Sequence, residues 1–102
     1  MYKLIISEFA HQDLDNIISY IAVKLANPTA AVNLLNEVDK CYNYLKNNPL
    51  MYEKCQDKNL KKENYRKALI KNYVLIYKVN ENTKTVSIMR IFYGAQNYIE
   101  LI

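Results

Sequence analysis

The sequence of 102 residues is poor in the residue types from which many catalytic and cofactor sites are built. It contains one glycine, one histidine, two cysteines, two prolines and no tryptophan. A single glycine cannot supply the glycine-rich loops of phosphate- and dinucleotide-binding sites, and a single histidine excludes a metal site built on several histidines. We therefore expect no metal and no cofactor. Two cysteines are also too few for a disulfide-stapled secreted scaffold.

Long hydrophobic runs and a targeting segment are missing as well. Residues 1–6 have the pattern of a strand rather than of a targeting segment. We therefore expect a cytoplasmic protein, with two free thiols and no membrane contact. Hydrophobic residues make up 51% of the chain and charged residues 24%, which is ordinary for a folded protein and excludes a disordered one. The length predicts a single domain over residues 1–102.

Two amphipathic helices are predicted in the amino-terminal half. Ser7 is a favourable N-cap for the first. The apolar residues of that helix recur at spacings of three and four: Leu14, Ile17, Ile18, Ile21 and Leu25. Asn27 and Pro28 end it and begin the second helix, which Pro49 ends. The apolar stripe of the second helix comprises Ala31, Leu34, Leu35, Val38, Tyr42 and Leu45. The short connection predicts an antiparallel helical hairpin.

Three strands are predicted in the carboxyl-terminal half, after a polar, irregular stretch at residues 50–64 that is interpreted as a long loop. The strands, rich in Val, Ile and Tyr, are predicted at residues 65–70, 73–79 and 86–92. Their connections are too short for crossovers, which predicts an antiparallel meander, and residues 94–102 are expected to pack back on the domain. The order β-α-α-β-β-β predicts an α+β fold, with the helical hairpin packed on one face of a mainly antiparallel four-stranded sheet.

The net charge of +4 is concentrated in one segment. Residues 53–71 carry seven basic and three acidic residues, whereas the rest of the chain carries seven of each sign. The exposed lysines expected there are candidate contacts for nucleic acid or an acidic protein partner: Lys54, Lys58, Lys61, Lys62 and Lys71. A solvated surface loop without a partner is the alternative interpretation.

Arg90 interrupts an apolar strand, between Met89 and Ile91. A charge in such a place must be paired or must lie where the strand meets solvent. Two interpretations stay open at this point. Arg90 forms a structural ion pair with Asp13 or Asp15 of the first helix, or it contacts phosphate at the surface of the sheet.

The histidine and the cysteines give little indication of catalysis. His11 is expected at the surface or as a cap near the start of the first helix. Cys41 falls near the apolar stripe of the second helix and is interpreted as a small buried hydrophobic residue. Cys55 lies in the basic segment, where neighbouring lysines could lower its pKa, but the sequence offers no partnering base.

Several short motifs, taken in order, give the chain a family resemblance. They are the stretch from Ser7 to Ile17, the pair Tyr20-Ile21, Asn27 to Ala31, Asn48-Pro49, Tyr65-Arg66, Asn72 to Val79 and Arg90 to Asn97. Together they make nearly the whole chain resemble the toxins of the RelE/ParE superfamily. The resemblance implies the RelE/ParE fold, membership of a bacterial type II toxin–antitoxin pair and a cognate antitoxin as partner.

Toxins of this superfamily divide by target. One branch cleaves mRNA in the ribosomal A site, and the other poisons DNA gyrase. Cleavage through the 2′-hydroxyl requires a base, an acid and cations around the phosphate, which the RelE-like branch supplies with basic residues and a tyrosine. Arg66 matches one of those basic positions, but the next two are Ala68 and Val74 here. The His-Gly-x-Arg pattern of the family reads Tyr93-Gly94-Ala95-Gln96.

Basic residues are absent at positions 68 and 74, and the histidine and arginine of the His-Gly-x-Arg pattern are absent too. These absences favour the ParE-like branch. We therefore predict a growth-arresting toxin that inhibits DNA gyrase by protein contact and forms an oligomer with its antitoxin. The first alternative is a ribosome-dependent mRNA endoribonuclease, for which the candidate catalytic residues are Arg66, Lys67, Arg90 and Tyr93. The second is a non-toxic regulatory module that binds nucleic acid through the basic segment.

Overall fold

The computed structural model describes residues 1–55 and 57–94. In chain order the elements are β1 (Lys3–Ile6), α1 (Glu8–Ser19), a π-helical turn (Tyr20–Lys24), α2 (Pro28–Asn47), α3 (Lys58–Lys62), β2 (Tyr65–Ile70), β3 (Tyr73–Asn80) and β4 (Thr85–Tyr93). The sheet has the strand order β1-β4-β3-β2, in which β1 is parallel to β4 and the other two pairs are antiparallel. This confirms the predicted α+β fold. The expected packing of residues 95–102 lies outside the described residues.

Side-chain caps set the starts of both helices of the hairpin, as the sequence predicts. The hydroxyl of Ser7 accepts a hydrogen bond from the backbone N–H of Ala10 at 3.0 Å. The amide oxygen of Asn27 accepts one from Ala30 at 3.1 Å, and Pro28 occupies the first turn of α2. These acceptors satisfy N–H groups that have no partner inside the helix, so the two helices begin at defined residues.

The end of the first helix differs from the prediction. After Ser19 the chain widens into the π-helical turn, and it leaves that turn through Ala26, which has a φ of 49°. A π-helix places more residues in each turn and so breaks the spacing on which the predicted stripe relied. Ile21 is buried, but Leu25 is 56% exposed and does not belong to the buried stripe.

Two apolar clusters lie on opposite faces of the sheet. The main core lies between the hairpin and the sheet, and its fully buried side chains include Leu45, Leu75, Tyr77, Ile88 and Ile91. The second cluster consists of Cys55, Leu60, Val74, Ile76 and Phe92. The stripe of α2 is confirmed except at Leu35, which lies at the margin of the buried face and is 37% exposed.

Residues 50–64 are not irregular throughout, and the prediction of a long loop is wrong in two places. The carboxylate of Asp57 accepts the backbone N–H of Leu60 at 3.2 Å and caps α3, and Leu60 is buried in the second cluster. Lys54 pairs with Arg66 in an antiparallel bridge, so this segment covers part of the outer edge of β2. A helix of five residues is too short to show a periodic pattern in the sequence.

The hairpin is joined to the sheet where β1 stops short of β4. Strand β1 pairs with β4 only as far as Ile88. Beyond it, the hydroxyl of Ser7 donates a hydrogen bond to the carbonyl of Met89 at 2.8 Å. The carboxylate of Asp13 accepts the N–H of Ile91 at 2.9 Å. The cap of α1 and a side chain in the middle of that helix therefore take over the pairing that a longer β1 would have provided.

Asp13 also decides between the two interpretations of Arg90. The guanidinium donates two hydrogen bonds to the carboxylate, from Nε at 2.8 Å and from Nη2 at 2.9 Å. It lies 5.3 Å from the ring centre of Phe9 and 4.6 Å from that of Phe92. This geometry is the bidentate ion pair in which arginine is most effective. Arg90 thus forms the predicted structural ion pair, and its partner is Asp13 rather than Asp15.

We expect the substitution Asp13→Ala to lower the free energy of unfolding by about 2–3 kcal/mol, because it leaves a partly buried guanidinium and a backbone N–H without their acceptor. Urea unfolding measures the change. Asp15→Ala is the matched control, since Asp15 is exposed on the same helix and should change stability by less than about 0.5 kcal/mol. Equal losses in the two variants would contradict the role given to Asp13.

Candidate functional site

The four candidate catalytic residues occupy three different places. Arg66 is half-buried, and its Nη1 donates a hydrogen bond to the carbonyl of Tyr52 at 2.6 Å. Arg90 is paired with Asp13. Lys67 and Tyr93 line one groove at the end of the sheet. These two share a groove, although their side chains belong to opposite faces of the sheet.

Arg66 and Lys67 are separated by the sheet itself. Arg66 is in register with Tyr77, whose side chain belongs to the main core, and Lys67 is in register with Ile76 of the second cluster. Neighbouring residues of a strand point to opposite faces. A single substrate phosphate on one face of the sheet cannot contact both side chains.

The surroundings of Arg66 indicate that it anchors a segment of backbone. The buried Tyr77 donates its hydroxyl proton to the carbonyl of Pro49 at 2.7 Å, and Tyr52 packs edge-on against Tyr77 with ring centres 6.4 Å apart. Burial raises the pKa of Tyr77, and the charge of Arg66 opposes that shift. Arg66 and Tyr77 together hold residues 49–52 against the sheet.

The groove that contains Lys67 and Tyr93, which we name the turn groove, lies beside the turn between β2 and β3. Its volume is about 450 Å³, and it is lined by Lys67, Leu69, Lys71, Asn72, Val74, Tyr93 and Gly94. No carboxylate is among these residues. Within the described part of the chain, neither lysine side chain forms an ion pair.

Close backbone contacts shape the turn groove. The N–H of Gly94 donates to the carbonyl of Asn72 at 2.7 Å, and a Cβ at position 94 would lie 3.0 Å from that oxygen. Lys71 has a φ of 54°, a left-handed conformation that glycine adopts more easily. The contribution of Asn72 and Gly94 was missed in the sequence. The available signal was the chain's one glycine directly after a strand.

Aromatic side chains lie at the same end of the sheet, but on its hairpin face. Tyr93 is 47% exposed, and its ring packs edge-on against Tyr73 with centres 5.7 Å apart. Burial raises the pKa of Tyr73, and so do the nearby phenols of Tyr93 and Tyr20. Three tyrosines therefore lie close together at this end of the sheet.

The other predicted contact residues form a separate, exposed group. Lys58, Lys61 and Lys62 lie on α3, and Lys54 lies next to Arg66. Lys71, from the same predicted set, belongs to the turn groove instead. The positive segment of the sequence is thus divided between two surfaces, and the role of each lysine in binding stays a prediction.

Both cysteines are buried, and at Cys55 the expected effect of a neighbouring lysine is present but outweighed. Lys67 does favour its thiolate, but desolvation by burial is the larger effect and raises the pKa of Cys55. Burial also raises the pKa of Cys41 to about 11, against a smaller opposing effect of the Tyr52 hydroxyl. Cys41 is the buried hydrophobic residue that the sequence predicts. His11 is exposed in the first turns of α1, as expected.

The thiols should be nearly inert in the folded protein. The thiolate is the reactive form, and at pH 8 a thiol with a pKa of about 11 is ionised to only about one part in a thousand. We expect dithionitrobenzoate to modify both cysteines rapidly in urea and neither one rapidly in buffer. Rapid modification of one thiol in buffer would contradict the burial of that cysteine.

Replacing Lys71 by glycine should stabilise the protein by roughly 0.5–1 kcal/mol, because relief of the left-handed strain exceeds the entropy that glycine adds to the unfolded chain. Thermal and urea unfolding measure the gain. Asn72→Gly is the control, since Asn72 has no positive φ and should gain nothing. An equal gain in both variants would show that strain at Lys71 is not the cause.

The described residues contain no group of three or more His, Cys, Asp or Glu side chains that could hold a metal ion. None of the helices in residues 1–55 and 57–94 is both long enough and apolar enough to cross a bilayer. The candidate functional groups of the described residues are lysines, tyrosines and backbone groups.

Comparison with known proteins identifies the family. The sequence model of the ParE toxin of the type II toxin–antitoxin system parDE matches residues 4–98. No curated protein sequence matches the chain. Among solved structures, the chromosomal ParDE toxin–antitoxin system from P. aeruginosa is similar with a TM-score of 0.72 and 19% identity, over 91% of this chain and 96% of that one.

Two further structures share the fold. The toxin–antitoxin complex RelBE2 from Mycobacterium tuberculosis gives a TM-score of 0.63 and 18% identity, over 90% of this chain and 96% of that one. YafQ from E. coli strain BL21(DE3) gives a TM-score of 0.61 and 20% identity, over 93% of this chain and 96% of that one. At these identities the structures support the fold, and the family follows from the sequence model. The chain belongs to the ParE toxin family of type II toxin–antitoxin systems.

Proposed function

We propose that this toxin arrests bacterial growth by binding DNA gyrase, without catalysis of its own, and that a cognate antitoxin neutralises it in the cytoplasm. Membership of the ParE family supports this target, since the ParE-like branch is the one that poisons gyrase. The observation that carries the proposal is the commitment of Arg90 to Asp13, at 2.8 and 2.9 Å. Cleavage requires cations around the phosphate, and the pairing of Arg90 with Asp13 supports a structural rather than a catalytic use of this charge.

The protonation chemistry of the described residues also argues against cleavage. A general base works best when its pKa is near the operating pH. Every shift resolved in the described residues raises the pKa of a tyrosine, a cysteine or Arg90, and so moves it further from neutrality. Because such groups are almost entirely protonated at pH 7, they are poor acceptors for the proton of a 2′-hydroxyl.

The exposed apolar side chains of the hairpin support a protein partner. Tyr20, Val23, Leu25 and Val32 are each more than half exposed. Apolar side chains concentrated on one exposed element are typical of contact surfaces. We propose that an extended or helical segment of the antitoxin covers part of this surface and folds as it binds. The P. aeruginosa relative is described as a ParDE toxin–antitoxin system, in agreement with such a partner.

One observation favours ribosome-dependent mRNA cleavage as the second candidate function. Lys67 and Lys71 line the turn groove, and Tyr93 borders it from the end of β4, although the ring of Tyr93 packs against Tyr73 on the other face of the sheet. The match of the Arg66 position to the RelE-like branch points the same way. Arg66 nevertheless belongs to a different groove and already binds the carbonyl of Tyr52.

Tightly controlled expression in a bacterium tests the proposal. We expect incorporation of labelled thymidine to fall within minutes, together with a DNA-damage response, while incorporation of labelled amino acids falls later. The reason is that trapped gyrase stops replication before it affects translation. Co-expression of the antitoxin should restore both.

Arg66→Gln separates the two candidate targets, because glutamine can still donate a hydrogen bond to Tyr52 and so preserves the backbone contact. Under the gyrase proposal the variant arrests growth as the unsubstituted toxin does. Early collapse of protein synthesis, together with loss of toxicity in Arg66→Gln at equal expression, would favour mRNA cleavage. Unimpaired growth with the unsubstituted chain would overturn both toxin functions.

A further inference from the structure

The two edges of the sheet differ in how the described part of the chain covers them. Beside β2, residues 53–55 run along the outer edge, where Lys54 pairs with Arg66. Strand β1 forms the other edge and pairs only with β4. Its sequence contains no proline, and its register with β4 is unbroken. The edge of β1 is therefore regular and open.

The backbone of β1 presents unpaired groups at this edge. The N–H groups of Lys3 and Ser7 donate to carbonyls on the β4 side, at 2.7 and 3.0 Å. Because the bonding direction alternates along a strand, the backbone groups of Leu4 and Ile6 point away from β4. Within residues 1–55 and 57–94 they have no backbone partner. Such groups are a template for pairing with another strand.

A groove of about 670 Å³ lies between β1 and α2. The residues of α2 that line it form one stripe of the helix: Asp39, Tyr42, Asn43 and Lys46. The stripe is symmetric about its midpoint, between positions 42 and 43, with an acid at one end and a base at the other. In the part of the chain that the structure describes, neither Asp39 nor Lys46 forms an ion pair.

We propose that two copies of this chain join through the open edge of β1, as a two-fold dimer whose two four-stranded sheets become one continuous sheet. Leu4 lies opposite Leu4 of the second copy, and the two exchange a pair of hydrogen bonds. On each side of the axis, the N–H of Ile6 donates to the carbonyl of Tyr2 of the second copy. A two-fold contact of this kind uses the same surface twice and closes on itself.

The charges of α2 favour a second copy over a different partner. The two-fold axis sets α2 antiparallel to its copy, so Asp39 faces Lys46 of the second copy at two symmetric places. Tyr42 faces Asn43 in the same way. The stripe is thus complementary to itself, whereas a stripe of one charge would favour a partner of the opposite charge.

One axis serves both the strand and the helix. The N–H of Tyr2 donates to the carbonyl of Lys46 at 2.8 Å, which fixes the start of β1 beside the end of α2. From that contact, Leu4 lies about 7 Å along the strand. The midpoint of the stripe lies about 5 Å along the helix, in the same direction. The two positions agree to about 2 Å.

The same register places an exposed apolar residue beside a long side chain. Ile5 is 46% exposed on the face of the sheet away from the hairpin. In the dimer it lies opposite Lys3 of the second copy, whose methylene stem covers it. A contact of one short strand and one helical stripe is small, so we expect a weak dimer that depends on concentration.

This inference is independent of the gyrase proposal. It uses neither the exposed apolar residues of the hairpin nor the turn groove, and its test contains no gyrase. Failure of the expression test would leave it standing, and a monomeric toxin would leave the gyrase proposal standing.

The test is analytical ultracentrifugation of the purified full chain over a range of concentrations. We expect the apparent mass to rise from 12.0 kDa towards twice that value. Ile5→Lys should weaken the dimer several-fold, because it places two lysines opposite each other at two places. Ile5→Glu should strengthen it, because it places a carboxylate opposite Lys3. Both substitutions change an exposed side chain, so neither should affect folding.

A charge exchange on α2 tests the helical part of the contact. Asp39→Lys should weaken the dimer by roughly tenfold, since it replaces attraction by repulsion at two places. Adding Lys46→Asp should restore most of the affinity, because the exchanged stripe is again complementary to itself. The matched control is Asp15→Lys, which makes the same change of charge at an exposed position outside the groove and should leave the dimer unchanged.

Three results would overturn the proposal. The first is a monomer at all concentrations up to about 10⁻⁴ M, which would leave the edge of β1 to a strand of a different protein. The second is equal weakening by Ile5→Lys and Ile5→Glu, which would exclude Lys3 as the facing residue. The third is equal weakening by Asp39→Lys and Asp15→Lys with no recovery in the exchanged variant, which would reduce the effect to net charge.

Discussion

The contact of Asp13 with the edge of β4 is the constraint on which the rest of the structure depends. Strand β1 is four residues long and stops beside the middle of β4, which leaves backbone groups of a central strand without partners. Ser7, the cap of α1, and Asp13, in the middle of α1, satisfy two of them. These two residues therefore fix the position of the helix on the sheet, and the antiparallel hairpin places α2 over the core.

The same contact determines what chemistry the sheet can perform. Arg90 would otherwise bring a free cation to the face of the sheet that also carries Lys67. Its bidentate pairing with Asp13, and the rings of Phe9 and Phe92 on either side, make it part of the framework. Arg66 is used in a similar way to hold the segment after Pro49. The lysines at the end of the sheet and on α3 are not used in this way in the described residues.

The parts of the fold that could be predicted from sequence are those set by local rules. Ser7 and Asn27 are caps because of their side-chain oxygens, and the stripe of α2 follows from its periodicity. Because a buried charge must be paired, the candidate partners of Arg90 could be limited to Asp13 and Asp15 from the sequence. Choosing Asp13 over Asp15 required the helix to be placed on the strand, which depends on residues 77 positions apart. Similarly, α3 depends on the burial of Leu60 under the sheet, a contact that no local pattern reveals.

The turns illustrate most clearly why the turn groove could not be predicted from sequence. With one glycine in the chain, left-handed turn positions must be filled by other residues, and they are Ala26, Asn64, Lys71 and Lys84. Strain at a lysine is therefore a consequence of composition and does not by itself mark a functional site. What distinguishes Lys71 from Lys84 is the environment that folding creates around it. Lys84 lies 5.1 Å from the ring centre of Tyr2, whereas Lys71 lies in a groove with a second lysine and Tyr93. At that groove Gly94 lets the end of β4 approach Asn72 closely, a contact that depends on residues far apart in the sequence.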